Sequence, residues 1–181
     1  MTEMEIKEQI CDVCHKMWQL GWVAANDGNV SVKLPDGNFI CTPTGISKSF
    51  ITPEKLVKIN AQGEILEAND GYRPSSEMKM HMRCYELRDD VGAVVHAHPP
   101  AATGFAVAHL PMDRYIMIEA VISLGSVPLT PFGVPSPRKF LTLSPLICPT
   151  MTLCFWKITE RLLWAQLMHC LLPYGNLGAV G

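Results

Sequence analysis

The sequence has few charged residues and no excess of basic ones. Of 181 residues, 18% are charged and 48% are hydrophobic, and the formal net charge is −2. Nucleic acids and anionic membranes require clustered lysine and arginine, so the composition argues against both as partners. The chain also does not open with basic residues and a long apolar run, which predicts a cytoplasmic protein.

The seven cysteines do not follow the pattern of a secreted disulfide framework. Cys11 and Cys14 stand one helical turn apart and His15 follows them, but no second C-x-x-C pair occurs. Disulfide frameworks belong mainly to short secreted chains. Packing of a helix face is therefore the favoured interpretation, and a metal or redox site is the alternative.

Acidic residues become scarce after residue 136. Residues 1–136 contain 16 acidic and 11 basic side chains, whereas residues 137–181 contain one acidic residue, Glu160, and four basic ones. The second segment shows neither strand alternation nor a sustained helical face. We therefore expect one domain at 1–136 and an aberrant tail of the same domain at 137–181.

A shift of reading frame would explain this tail. If the third base of each codon is read with the first two bases of the next, residues 145–160 permit PYLPDHDVMLLENHG. The second Asp and the Glu of that peptide are forced by the genetic code, and the other bases are free choices. We hypothesise that the tail is a frame-shifted translation of a normal C-terminal region. A genuine apolar tail is the alternative.

Helices and strands alternate in the front segment. Apolar residues at steps of three and four predict an amphipathic helix over 4–20. The Asp36-Gly37 pair predicts a hairpin turn. The other predicted elements are strands at 29–33, 38–43, 57–60, 64–67 and 93–96, a short helix at 52–54, and a helix over 77–87 capped by Ser75 or Ser76. This order predicts an α/β fold with a central, mostly antiparallel sheet.

The segment Val94-Val95-His96-Ala97-His98-Pro99 is the sharpest candidate for chemistry. Residues i and i+2 of a strand point to the same side, so His96 and His98 could bind one ion. Neutral imidazole is a good zinc ligand, and a catalytic zinc site needs three protein ligands and an open position. The alternative is a pair of ordinary surface or core histidines.

Three segments carry groups that suit a phosphate-binding site with a carboxylate beside it. Ser75-Ser76-Glu77 places a carboxylate in a first helical turn beside exposed backbone N–H groups. Gly28-Asn29-Val30-Ser31 and Thr44-Gly45 offer amide, hydroxyl and backbone N–H groups without lysine or arginine. Each segment could alone be a helix cap or an ordinary turn.

The ordered motifs G-N-V-S, T-P-T-G, S-S-E and V-V-H-A-H-P resemble the class II aldolase and adducin family, most closely its L-fuculose-phosphate aldolase branch. The resemblance covers roughly residues 5–136. It implies a three-layer α/β/α sandwich that assembles as a homotetramer, with one zinc ion per subunit in a cleft at subunit interfaces.

The resemblance also implies roles for particular residues. His96 and His98 would bind zinc, and Glu77 would act as catalytic acid and base and as a further metal contact. Tyr115 corresponds to a tyrosine that protonates substrate from a neighbouring subunit. The substrate phosphate would be held by Asn29, Thr44, Gly45, Ser75 and Ser76.

Two features concern the branch of the family to which the chain is most similar and whether its zinc-ligand set is complete. Related ribulose-phosphate 4-epimerases have Asp at the position of Glu77, so Ser-Ser-Glu favours an aldolase. The third zinc-binding histidine of the family lies in an E-N-H-G segment. That segment arises here only in the shifted reading, across Ile158 and Thr159, and His169 has no family context.

The resemblance predicts a zinc-dependent aldolase that cleaves a ketose 1-phosphate to dihydroxyacetone phosphate and an aldehyde, with a small sugar phosphate as its partner. Three alternatives remain open. They are a defective family member, a related sugar-phosphate epimerase or dehydratase, and a noncatalytic adducin-like module.

Overall fold

A computed structural model describes residues 1–69, 71–111, 118 and 129, and the main chain of two later strands. The helices are α1 (Glu3–Gln19), α2 (Met78–Leu87) and α3 (Pro100–Val107), and two 3-10 turns lie at Lys48–Phe50 and Pro53–Lys55. The strands are β1 (Asn29–Lys33), β2 (Phe39–Cys41), β3 (Val57–Ile59), β4 (Ile65–Glu67), β5 (Ala93–Ala97), β6 (Leu153–Ile158) and β7 (Trp164–Leu171). Of the described helices, none has the length and apolar character needed to cross a membrane.

Helix α1 confirms the amphipathic pattern predicted for 4–20. Thr2 and Glu5 form a capping box, in which each side chain accepts a hydrogen bond from the backbone N–H of the other. Ile6, Ile10 and Met17 are buried on one face of the helix. Burying each such side chain contributes about 1.5–3 kcal/mol, so this face fixes α1 on the sheet.

The strands form one sheet in the order β4-β3-β2-β1-β5-β7-β6, and every pair of neighbours is antiparallel. The predicted hairpin joins β1 and β2, with Ser31 opposite Cys41. Strand β5 lies on the other side of β1, and Asn29 is opposite His96. The sheet therefore brings the G-N-V-S and V-V-H-A-H-P motifs together.

Alternate residues of the central strands enter two separate hydrophobic clusters. Val30, Val32 and Val95 pack with α1, whereas Val94 packs with residues of α2. Because successive side chains of a strand point to opposite faces, the two helices cover opposite faces of the sheet. The predicted α/β sandwich with a mostly antiparallel sheet is confirmed.

The packing interpretation of the C-x-x-C pair is also confirmed. Cys11 and Cys14 are buried free thiols in the cluster beneath α1. Burial raises the pKa of Cys11 to about 11 and that of Cys14 to about 12. Both thiols therefore stay protonated at neutral pH, as expected for cysteines that pack a helix face.

The predicted serine cap of α2 is wrong. Helix α2 begins at Met78 with Glu77 in the cap position, and no side chain caps it. The hydroxyl of Ser75 instead accepts the N–H of Glu77 at 3.3 Å, and its carbonyl accepts the N–H of Met78 at 3.1 Å. Ser75 thus forms a turn before the helix, which leaves Glu77 at the helix entrance.

The absence of a strand pattern in 137–181 did not exclude strands there. β6 and β7 both lie in this segment, and β7 pairs with β5 so that Leu167 is opposite Ala97. Main-chain pairing requires backbone donors and acceptors rather than alternating side chains. Hydrophobic alternation was therefore the wrong criterion for this segment.

Gly28 has no room for a side chain. Its φ is +70°, and a Cβ atom would lie 2.8 Å from the backbone oxygen of His96 and 2.6 Å from Cγ1 of Val23. The close approach of β1 to the end of β5 therefore requires glycine at this position.

We expect Gly28→Ala to lower the free energy of unfolding by about 2 kcal/mol or more, because it adds a backbone clash to the cost of a left-handed conformation. Gly37→Ala is the matched control, since Gly37 has φ +83° with no atom within 4 Å of the added Cβ. Urea unfolding followed by circular dichroism measures both losses. Equal losses in the two variants would contradict the clash.

Candidate active site

The predicted phosphate and carboxylate motifs meet around one cleft of about 300 Å³. It lies where the loop before β1, the loop after β2 and the entrance of α2 converge. The predicted site residues that line it are Asn29, Thr44, Ser75, Ser76, Glu77 and His98. Of the other predicted residues, Gly45 follows Thr44, His96 lies buried behind the cleft, and Tyr115 lies outside the described residues.

Backbone hydrogen bonds join the two loops that carry hydroxyl groups. The N–H of Thr44 donates to the carbonyl of Arg73 at 2.9 Å, and that of Ser75 donates to the carbonyl of Thr42 at 3.4 Å. Gly45 adopts φ +76°, which turns the chain directly after Thr44. The T-P-T-G and S-S-E motifs are therefore held side by side by main-chain contacts.

Glu77, His96 and Asn29 form a hydrogen-bonded group at the base of the cleft. Nδ1 of His96 lies 2.9 Å from Oε2 of Glu77, and Nδ2 of Asn29 donates to the same oxygen. His96 is fully buried and Glu77 is half-buried. Opposed positions on β1 and β5 supply Asn29 and His96, while the entrance of α2 supplies the carboxylate.

These contacts determine which nitrogen of His96 carries a proton when the ring is neutral. A carboxylate accepts hydrogen bonds only, so Nδ1 carries the hydrogen that Oε2 of Glu77 accepts. The 3.2 Å contact between Nδ2 of Asn29 and Nδ1 of His96 then joins two donors and is not a hydrogen bond. Nε2 is left with a free lone pair, and it is buried without a partner among the described residues.

The carboxyl group of Glu77 is strongly acidic. Burial acts to raise its pKa, but the hydrogen bond from His96, the charge of that ring when it is protonated, and the hydrogen bond from Asn29 outweigh burial and lower that pKa to about 2. Glu77 is therefore ionised at neutral pH. An ionised carboxylate on Nδ1 of an imidazole is the arrangement that orients metal-binding histidines.

His98 lies next to His96 at the end of β5. The two ring centroids are 4.9 Å apart, and the N–H of His98 donates to the carbonyl of Trp22 at 2.8 Å. The free Nε2 of His96 and the adjacent imidazole suit a borderline-soft metal ion such as zinc. However, the described part of the chain contains no group of three His, Cys, Asp or Glu side chains placed to hold a metal ion. The structure thus provides two imidazoles and leaves a third ligand unidentified.

A second polar group lies deeper between β1 and α2. The hydroxyl of Tyr85 donates to the carbonyl of Ser31 at 2.9 Å, so the Ser31 hydroxyl, 2.8 Å away, donates to Tyr85. Nδ1 of His81, at 2.7 Å, must then donate to the Ser31 hydroxyl. Burial lowers the pKa of His81 to about 3, so its ring is neutral. This group fixes α2 against β1 and hence the position of Glu77.

Sequence reasoning missed several residues of the cleft. Asn26, Asp27 and Pro43 line it, and Lys48 lies beneath it. Pro43 lies within the T-P-T-G motif, and Asn26 and Asp27 directly precede the G-N-V-S motif, so all three could have been found from those motifs. Lys48 had no such signal, because one lysine in a polar stretch reads as a surface residue.

Comparisons with known proteins identify the family of the chain. The model of the class II aldolase and adducin N-terminal domain matches residues 8–140. A 3-oxo-tetronate 4-phosphate decarboxylase of Escherichia coli O6:H1 is 30% identical over 146 residues, which are 76% of this chain and 66% of the relative. An L-fuculose phosphate aldolase of the same organism is 34% identical over 139 residues, covering 77% of this chain and 63% of the relative.

A solved structure shares the fold over nearly the whole chain. The L-fuculose-1-phosphate aldolase from Thermus thermophilus superposes with a TM-score of 0.75 at 24% identity, covering 98% of this chain and 85% of that one. The two curated relatives are matched over only about two thirds of their own length. With the family model matched over residues 8–140, the chain belongs to the class II aldolase and adducin N-terminal domain family.

Proposed function

We propose that the chain is a zinc-dependent aldolase that cleaves a ketose 1-phosphate of the fuculose type to dihydroxyacetone phosphate and an aldehyde. The observation that carries the proposal is the ionised Glu77 held on Nδ1 of His96 at the base of a hydroxyl-lined cleft. The similarity to an L-fuculose phosphate aldolase supports the same reaction. The Ser-Ser-Glu sequence favours aldolase over epimerase chemistry.

Glu77 is the proposed acid and base. Its carboxylate reaches the cleft and is ionised, so it can accept a proton from a substrate hydroxyl and return it to carbon after the carbon–carbon bond breaks. Tyr115 of a neighbouring subunit is the proposed second proton donor, within a homotetramer. We place this enzyme in the cytoplasm.

The cleft loops are the proposed phosphate site. Hydroxyls of Thr44, Ser75 and Ser76 offer neutral donors, as does the amide of Asn29, which also donates to Glu77. Gly45 is an exposed residue at a turn beside them. Such donors bind phosphate without a cationic side chain. They would hold the substrate with the hydroxyl that gives up its proton toward Glu77.

His96 and His98 are the proposed zinc ligands, with one ion per subunit. Glu77 is a proposed further contact that would require its carboxylate to leave Nδ1 of His96, because an ion on Nε2 lies on the opposite side of that ring. The free lone pair on Nε2 of His96 fits this role. When bound, zinc would act as a Lewis acid that polarises the oxygens of the substrate. The third histidine ligand is proposed to belong to the alternative frame of the tail.

A sugar-phosphate decarboxylase is the second candidate, because the chain is 30% identical to a 3-oxo-tetronate 4-phosphate decarboxylase. Both reactions break a carbon–carbon bond next to a carbonyl group. The substrate decides which reaction occurs. A hydroxyl-bearing carbon on the breaking bond leaves as an aldehyde, whereas a carboxylate in the same position leaves as carbon dioxide. Assay of 3-oxo-tetronate 4-phosphate for carbon dioxide release separates the two.

We expect His96→Ala to lose zinc, because it removes a ligand whose lone pair no other described group uses. After loading with zinc and dialysis, the purified wild-type chain should retain more zinc per subunit than His96→Ala does, as measured by atomic emission. His15→Ala is the control, since His15 lies on α1 and contacts the carbonyl of Ile51. Unchanged zinc content in His96→Ala would refute the ligand assignment.

Glu77→Gln is expected to lower the rate of cleavage of L-fuculose 1-phosphate about a hundredfold or more, because the amide cannot move the proton. Release of dihydroxyacetone phosphate measures the rate. Glu86→Gln is the matched control, since Glu86 lies on the same helix in an exposed ion pair with Arg83. Equal rates for Glu77→Gln and wild type would overturn the assignment.

The frame-shift proposal predicts that a single-base insertion before the codon of Pro145 restores an E-N-H-G segment. We expect the restored chain to bind zinc at least about tenfold more tightly than the present chain, because it gains an imidazole ligand. Competition with a chromogenic chelator measures both affinities. Equal affinity would favour a genuine apolar tail.

A further inference from the structure

Lys48 is a lysine whose side chain is buried beneath the cleft. It is 1% exposed and begins the 3-10 turn Lys48–Phe50. Burying an ammonium group costs free energy unless acceptors or opposite charges surround it. Bulk water therefore does not stabilise this ammonium group, and neighbouring protein groups must do so.

Two backbone carbonyls accept hydrogen bonds from Lys48. Its Nζ lies 3.2 Å from the carbonyl oxygen of Ile46 and 3.4 Å from that of Asn26. Asn26 lines the cleft, and Ile46 follows directly after the Thr44-Gly45 turn. One ammonium group thus joins the two loops that approach the cleft from β1 and from β2.

The orientation of these carbonyls fixes the orientation of the next N–H groups. A trans peptide is planar, and its C=O and N–H point in opposite directions. The N–H groups of Asp27 and Ser47 therefore point away from the buried ammonium. Neither is donated to another described residue. Of the two residues, Asp27 lines the cleft. Outward backbone N–H groups of this kind contribute to the concave sites that bind anions.

Lys48 also balances the negative charge of the cleft. Asp27 and Glu77 are carboxylates among the described lining residues, which include no lysine or arginine. A phosphate group that enters would meet both carboxylates. Burial lowers the pKa of Lys48, but the negative charges of Asp27 and Glu77 act to raise it. The ammonium group of Lys48 therefore interacts electrostatically with both carboxylates.

We infer that Lys48 is a positioning residue for anion binding: its ammonium group orients the Asn26 and Ile46 peptides and offsets Asp27 and Glu77 where the substrate phosphate binds. This inference rests on the proposed function, because it concerns the same cleft. It adds a residue that does not touch the substrate. Its effect should therefore appear in phosphate affinity and not in metal binding.

The experiment measures the affinity of the full chain for inorganic phosphate by phosphorus NMR titration. We expect Lys48→Met to bind phosphate about tenfold or more weakly than wild type, with zinc content unchanged. Lys16→Met is the matched control, since Lys16 forms an exposed ion pair with Asp12 on α1. It should bind phosphate as wild type does.

Lys48→Gln separates the two roles and replaces Lys48→Met if that variant does not fold. The glutamine keeps hydrogen-bond donors without charge, so phosphate affinity should fall by several-fold while the unfolding temperature stays close to that of wild type. A folded variant at residue 48 with affinity within about twofold of wild type would overturn the inference. So would a wild-type chain that binds no phosphate. Phosphate binding without sugar cleavage would instead reject only the proposed function.

Discussion

The pairing of β1 with β5 is the constraint on which the candidate site depends. It places Asn29 opposite His96, so that both side chains reach one oxygen of Glu77. The two strands can converge at this point only because Gly28 has no Cβ to strike the carbonyl of His96. A register shift of one residue between the two strands would turn one of these side chains to the other face of the sheet. The register of these two strands therefore determines the geometry of the site.

The contact that holds Glu77 also determines its chemistry. A buried carboxyl group would ordinarily be hard to ionise, yet the imidazole and the amide keep this one as an anion. The same contact leaves Nε2 of His96 as an unused lone pair. One hydrogen-bonded group thus yields both an ionised base and a metal-ready nitrogen. Lys48 below it keeps the local charge from being wholly negative.

Much of this arrangement could be predicted from the sequence. Apolar periodicity predicted α1, alternating short strands and the Asp36-Gly37 turn predicted the β1-β2 hairpin, and ordered motifs predicted six of the residues that line the cleft. Long-range partners could not be predicted in this way. Nothing local to Lys48 indicates that it lies beneath a cleft, and nothing in residues 137–181 indicates that β7 joins β5. Both features depend on contacts between segments distant in the chain.

The central claim is that imidazoles of β5 hold a zinc ion at this cleft. X-ray absorption at the zinc edge of the zinc-loaded chain tests it most directly, because it identifies the ligand atoms. The account predicts nitrogen and oxygen ligands at about 2.0–2.2 Å with the outer-shell pattern of imidazole. Sulfur ligands at about 2.3 Å would place the metal on cysteines instead, and would contradict the assignment of His96 and His98.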